Sequence, residues 1–422
     1  MIFDDQMCKN QVMKYRKRFL EEKLRSASDH FKAIMILGAR QVGKSTLLKH
    51  FHPNAEAFVF DSILDPLGVR TDPDFFLTLH PPPLILDEVQ FVPALLSAVK
   101  RKVDLSDEPG RYFLTGSQNF TMLKSISETL TGRIVLFHLE GLSLHERQSM
   151  ETKTWLCRYL EDPYSFLQSN PTNIAGLPPL HEVIWRGSLP AALILDPNLI
   201  GPFFTSYIQT YVERDLRLID NVENLELFGR FLALLAALTA SEIKYNQLGR
   251  EVGISHQTAK RWTSALLALY QWRQLSPYFA NSIKRISETP KGHFTDTGVC
   301  CHLLRILSPQ ALALHPLLGT LFETWVVNHI HQLFSSCNMT PYVHHWRIHS
   351  GAEIDLILEA NGCFYPIEIK CSQNLSRNDL YSFKAFREAH PKAKVMPNLI
   401  IHAGEKNYLL DHDTLALSWK AL

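Results

Sequence analysis

The stretch Ala33-Ile34-Met35-Ile36-Leu37-Gly38-Ala39-Arg40-Gln41-Val42-Gly43-Lys44-Ser45-Thr46-Leu47-Leu48-Lys49 decides the reading of the first third of the chain. Five successive apolar residues predict a strand buried on both faces of a parallel sheet. They run straight into a GxxxxGKS pattern, and a helix-forming run follows, so the order is strand, phosphate loop, helix. Glycines at both ends let the backbone curl until its N–H groups point at phosphate oxygens, while the positive end of the next helix faces the same anion. Gly38, Ala39, Arg40, Gln41, Val42, Gly43, Lys44, Ser45 and Thr46 are therefore expected to cradle a triphosphate. Lys44 would reach its terminal phosphates and Ser45 would ligate the bridging Mg2+.

Working outward, the second half of such a site needs an acid at the end of another buried strand. Pro83-Leu84-Ile85-Leu86-Asp87-Glu88 supplies two. Asp87 suits the magnesium shell, and Glu88 suits the base that orients the attacking water. A third apolar run, Tyr112-Phe113-Leu114-Thr115-Gly116-Ser117-Gln118, ends in small polar groups, and Ser117 is expected to sense the γ-phosphate. Arg133, in Leu130-Thr131-Gly132-Arg133, is a candidate arginine finger acting on a neighbouring subunit's nucleotide, which would require a homo-oligomer.

The phosphate loop, LILDEVQ, FLTGSQ and the SETLTGR segment leading into LEGLSLHE together resemble the prokaryotic AAA-type ATPases that carry a winged helix and a restriction-endonuclease-like C-terminal domain. The similarity runs through nearly the whole chain. It implies an AAA-like parallel sheet flanked by helices, and ATP rather than GTP, because no guanine-reading NKxD pattern follows. The YVERDLR stretch at 211–217 is familiar from the same family.

Between about 150 and 205, seven prolines interrupt any long element and suggest a lid or connector. Tyr207 to Arg217 then reads as a helix whose charges face the nucleotide site or a neighbour. Tyr245 to Trp262 has the rhythm of a helix-turn-helix, with Gly253 at the turn and Ser255 as N-cap. Leu248, Val252, Ile254, Ala259 and Trp262 would close its core, leaving His256, Gln257, Lys260 and Arg261 outward as a DNA-facing surface. Residues 275 to 296, with Lys284, Arg285 and Lys291, would form the wing. Such basic contacts are mostly to phosphates and so weakly sequence-selective.

In the last third, Gly351-Ala352-Glu353-Ile354-Asp355-Leu356-Ile357-Leu358 and Phe364-Tyr365-Pro366-Ile367-Glu368-Ile369-Lys370 read as two strands of a hairpin around Asn361-Gly362. Period-two geometry puts Glu368 and Lys370 on one face. Asp355 opposite Glu368 and Lys370 resembles the PD-(D/E)XK nucleases, and Glu323, on the amphipathic helix predicted at 319–327, matches that fold's additional acid. The resemblance implies Mg2+ held by Glu323, Asp355 and Glu368, with Lys370 stabilising developing charge. Glu353-Ile354 replaces the proline usual before the aspartate, and many such domains keep the fold mainly to bind nucleic acid.

The 422 residues allow two to four domains of roughly 100 to 200 residues each. We divide them into an ATPase domain (1–150), a connector (151–224), a winged helix (225–300) and a nuclease-like α/β domain (301–422). With 46% hydrophobic and 20% charged residues the chain is not disordered. Its 43 basic against 42 acidic residues confine any nucleic-acid surface to a local patch. Seven cysteines, scattered except for the adjacent Cys300 and Cys301 and without a CxxC pair, suggest reduced thiols in the cytoplasm, and no apolar run is long enough to span a membrane. The expectation is an ATP-dependent protein that binds, and cleaves, branched or structured DNA. The rival is an ATP-driven switch whose nuclease-like domain is a docking platform.

Overall fold

In the computed structural model, the strands β1 (Ala33–Leu37), β2 (Glu56–Val59), β3 (Leu84–Asp87), β4 (Tyr112–Gly116) and β5 (Ile134–His138) form one all-parallel sheet in the order β2-β3-β4-β1-β5. The structure describes residues 15–61, 65, 68–117, 130–150, 152–213, 224–279, 289–348 and 351–422. Strands β1, β3 and β4 are buried along their whole length, as their unbroken apolar runs require. Alternate residues feed two cores. Met35, Leu37, Leu86 and Leu114 pack with Leu95, Leu96 and Val99 of the helix Pro93–Asp104. Ile34, Ile36, Ile85 and Phe113 pack with Leu47 and Leu48 of the helix Lys44–Phe51. Each such side chain contributes about 1.5–3 kcal/mol of apolar burial. Because all five strands run the same way, their C-terminal ends share one edge, where the loops meet.

The connector is a series of short helices. Pro163, Pro190 and Pro197 each sit in a first turn, where a missing N–H costs nothing. The helix Pro197–Tyr207 continues as a π-helical turn, Ile208–Glu213; the rest of the charged stretch expected there, from Arg214, lies outside the described residues. Cys157 and Cys337 form a disulfide with Cα atoms 5.1 Å apart. This corrects the expectation of reduced thiols throughout: the two are 180 positions apart in sequence, and only folding makes them neighbours.

The helices Tyr245–Val252 and His256–Ala268 pack across Gly253, whose φ of 85° is a conformation that favours glycine. Ser255 accepts the Thr258 N–H at 3.0 Å, and Leu248, Val252, Ala259 and Trp262 are buried as expected. The strand β6 (Ser241–Glu242) precedes this pair, and β7 (Trp272–Pro277) and β8 (Lys291–Phe294) follow it. Lys284 and Arg285 lie outside the described residues.

β7 pairs in parallel with β9 (Tyr342–Arg347) through Ser276 opposite His344 and Pro277 opposite His345, so one sheet continues into the C-terminal third. It runs through β10 (Glu353–Ala360), β11 (Cys363–Lys370), β13 (Asn398–His402), β15 (Thr414–Ser418) and β14 (Tyr408–Leu409), with β12 (Lys394–Val395) beside β11. A bulge against β9 between Ile354 and Ile357 breaks the alternation of β10. Ile354 and Ile357 therefore both pack toward Phe383 and Phe386, while Leu356 and Leu358 join the core of the helix Leu318–Leu333. No described helix is long and apolar enough to cross a membrane.

Candidate nucleotide site and carboxylate cluster

The loop after β1 curls back on itself. The Lys44 ammonium, 4% exposed, donates to the carbonyls of Gly38 at 3.0 Å and Ala39 at 2.9 Å. Gly38 is required by close approach, since a Cβ there would lie 2.3 Å from the Leu139 carbonyl oxygen. Gln41 and Glu88 both hold positive φ, 63° and 59°, a strain of about 1–3 kcal/mol each of the kind found at functional sites.

The strand order brings the acids to this loop. β4 lies between β1 and β3, so its C-terminal end links the two. The Thr115 hydroxyl donates to buried Asp87 and accepts the Glu88 N–H at 3.0 Å. The Ser117 hydroxyl donates to Glu88 at 2.9 Å, Gln90 donates to the same carboxylate, and Arg40 of the loop lies 3.6 Å from it. Burial pushes the Glu88 carboxyl up, but Lys44 and Arg40, with the bonds from Gln90 and Ser117, outweigh it and hold the carboxyl below its ordinary range. Asp87, Glu88, Ser117, Arg40 and Lys44 thus come together. Arg133 does not join them: it is exposed at the start of β5 and pairs with Asp104.

Two residues missed in the sequence complete this edge. Arg18, 5% exposed, donates to the Val42 carbonyl at 2.9 Å, to the Glu140 carbonyl at 2.7 Å, and to Glu146 at 3.1 Å. Glu146 in turn closes a capping box with Ser143, which is why the LEGLSLHE turn holds its shape. Tyr207 donates to the Arg40 carbonyl at 3.4 Å and accepts from Gln271 at 2.9 Å. A cleft of about 490 Å³ lies beside the loop, lined by Gly38, Ala39, Glu140, Ser264, Leu267 and Tyr270. The end of the helix His256–Ala268 therefore faces the phosphate loop. On its outer side His256, Gln257, Lys260 and Arg261 are exposed.

In the second sheet, Asp355, Glu368, Lys370 and Glu323 also converge, but around an unexpected group. Lys291 of β8, 4% exposed, lies 2.6 Å from Glu323, 2.9 Å from Glu353 and 3.2 Å from Asp355. Asp355 also accepts the Ile369 N–H at 2.9 Å, and Lys370 donates to Glu368 at 2.6 Å. Burial alone would lower the Lys291 pKa, but Asp355, Glu323 and Glu353 raise it well above the ordinary lysine range. Burial, then the Asp355 charge, raises both Glu323 and Glu368.

The expected magnesium ligation by Glu323, Asp355 and Glu368 does not fit this arrangement. Among the described residues no group of three or more His, Cys, Asp or Glu side chains is arranged to hold a metal ion. An ammonium already takes one contact from each of three carboxylates. Lys291 was read as part of the wing; its neighbours in sequence carry no sign that its side chain turns inward.

The parallel sheet, its phosphate loop and the paired acids define an AAA-type P-loop domain, and residues 30–148 match the family described as AAA domain. Residues 178–310 and 318–422 match two families described as domains of unknown function, DUF8612 and DUF4143. The chain is 28% identical over 408 residues to the uncharacterized proteins Rv2008c of Mycobacterium tuberculosis and Mb2031c of Mycobacterium bovis, covering 96% of this chain and 84% of each relative. Among solved structures, a RuvB variant of Thermotoga maritima aligns at 13% identity and TM-score 0.29, over 60% of this chain and 88% of that one. PH0952 of Pyrococcus horikoshii, a signal transduction ATPase with numerous domains and a tetratricopeptide repeat sensor, aligns at 13% identity and TM-score 0.26, over 78% and 51%.

Proposed function

We propose that this chain is an ATP-driven DNA-binding switch, in which ATP hydrolysis at the phosphate loop alters how a winged-helix unit holds DNA. The carrying observation is that one end of the helix His256–Ala268 closes the cleft beside Gly38 and Ala39, while its exposed Lys260 and Arg261 lie toward the other end. The hydrogen-bond chain from Gln271 through Tyr207 to the Arg40 carbonyl supports a mechanical link between them.

In this reading the loop N–H groups and Lys44 bind the triphosphate, and Glu88 accepts a proton from the attacking water. Its low pKa keeps it ionised at neutral pH and ready to orient that water. Ser45 and Asp87, both hard oxygen donors, would hold Mg2+, which neutralises phosphate charge when bound. Arg133 remains the candidate to act across a subunit boundary in a homo-oligomer. His256, Gln257, Lys260 and Arg261 would meet DNA phosphates, beside a polar cleft lined by Lys244, Arg250 and Thr289. We assign the C-terminal PD-(D/E)XK-like unit a platform role on branched or structured DNA, and not cleavage, because Lys291 takes the position a catalytic cation needs.

The test is ATP turnover and fluorescence anisotropy on duplex, forked and four-way DNA. Lys44→Ala should lose ATP binding, and Glu88→Gln should keep binding but lose turnover by about 10²–10⁴-fold, the range of general-base catalysis. Lys260→Ala with Arg261→Ala should weaken DNA binding and reduce its salt dependence by about two phosphate contacts. Unaltered turnover in Glu88→Gln, or unaltered DNA affinity in the double variant, refutes the corresponding half. Metal-dependent cutting that is lost in Lys370→Ala would restore the nuclease reading.

A further inference from the structure

We infer that Lys291 is the resident cation of the carboxylate cluster, and that the cluster is an intramolecular lock joining β8 to the C-terminal unit in place of a divalent-metal site. The three carboxylates come from two separate elements: Glu323 from the helix Leu318–Leu333, and Glu353 and Asp355 from β10. The ammonium donates to Glu353 and Asp355 and lies 2.6 Å from Glu323 as an ion pair, so three carboxylates surround one cation.

The backbone of Lys291 is equally committed. It is paired on one side with Leu275 of β7 and on the other with Glu242 of β6. The side chain cannot withdraw from the cluster by a rotamer change into solvent without the strand moving, because it is 5% exposed and enclosed by its partners. A magnesium or manganese ion needs oxygen contacts of roughly 2.0–2.2 Å in near-octahedral array. Placed among these carboxylates, it would sit against the ammonium, and the two cations would repel.

Buried charge pairs contribute little net stability, and in some proteins they serve to specify one arrangement over others. Here the arrangement specified is the seating of β6–β8 on the C-terminal sheet, which β7 also meets through the pairs Ser276 with His344 and Pro277 with His345. The buried Glu368 Oε2, which has no hydrogen-bond partner among the described residues, lies in the same cluster and is the acceptor a divalent ion could use once Lys291 is removed. The inference is independent of nucleotide, so its failure would leave the ATP-driven switch untouched and overturn only the platform role assigned above to the C-terminal unit.

The experiment is Mn2+ titration of nucleotide-free, full-length protein, read by the electron paramagnetic resonance of free Mn2+ and by melting temperature. Wild type and Asp355→Asn should give the same binding isotherm. Lys291→Met should gain one Mn2+ site and melt higher as Mn2+ rises, and adding Asp355→Asn should abolish both effects. A wild-type Mn2+ site that disappears in Asp355→Asn overturns the proposal, as does a folded Lys291→Met that gains none. If Lys291→Met does not fold, the comparison of wild type with Asp355→Asn decides alone: identical isotherms support the lock and a lost site refutes it.

Discussion

Arg18 lies far from the phosphate-loop motif in sequence, yet its replacement should loosen the nucleotide site. Its guanidinium is buried against an equally buried Glu146, with side chains 5% and 3% exposed. It also fills the carbonyls of Val42 and Glu140 at 2.9 and 2.7 Å. Removing one partner of such a pair generally costs about 3–5 kcal/mol. Glu146 keeps its bonds from the Phe19 N–H and from the N–H and hydroxyl of Ser143, so Arg18→Ala falls at the lower end, about 3 kcal/mol. That loss is local to the loop and the LEGLSLHE turn. Amide exchange in peptides covering 38–47 and 140–146 should therefore accelerate by about two orders of magnitude, with ATP affinity falling roughly tenfold. Arg18→Lys keeps the charge but loses the planar fork, and should recover only part of the protection. An acceleration below about threefold in both peptides, where several kcal/mol predicts far more, would show that Arg18 does not hold the loop.

Two further outcomes follow from buried polar groups outside the nucleotide site. His329 is 1% exposed, and burial, with the nearby His145 and Arg147, lowers its pKa to about 3. The unfolded chain takes up that proton near pH 6.5 while the folded one resists it, so stability falls as pH drops from about 6.5 toward 3. At pH 5 the loss relative to pH 8 should be roughly 2 kcal/mol from this group, and His329→Gln should lower the acid slope of stability by about one proton; an unchanged slope counts against it. Asp296 caps the helix Thr297–Leu303 through Gly298 and Val299 and, through its other oxygen, accepts the Ser188 N–H at 2.6 Å and its hydroxyl at 2.9 Å. Asp296→Ala should cost about 3 kcal/mol in thermal melts and Asp296→Asn less, and a loss under about 1 kcal/mol would mean the Ser188 contact is unimportant.

Much of the first third was legible because its signals are local. The run Ala33–Leu37 is β1 residue for residue, and LILD is β3. Parallel strands buried on both faces need no partner information to be recognised, and the phosphate loop carries its own turn chemistry. The helix-turn-helix and the hairpin of Asp355 and Glu368 were readable for the same reason: spacing sets the face a side chain takes. What spacing could not reveal was what each face meets. Arg18, Tyr207 and the Cys157–Cys337 pair reach partners more than a hundred positions away.

Lys291 marks the boundary most clearly. The order of Glu323, Asp355, Glu368 and Lys370 along the chain determines that four chemically paired groups can share one site, since strand and helix periodicity place them on inward faces. Whether that site takes an ion from solution or an ammonium from the chain depends on where β8 docks. That docking is set by pairing across sheets, through β6, β7 and β9, and by the bulge that turns β10. Charge and periodicity belong to the sequence; which opposite charge arrives to meet them is a matter of packing, because Coulomb energy in a buried site depends on distances of a few ångströms that only the assembled sheets define.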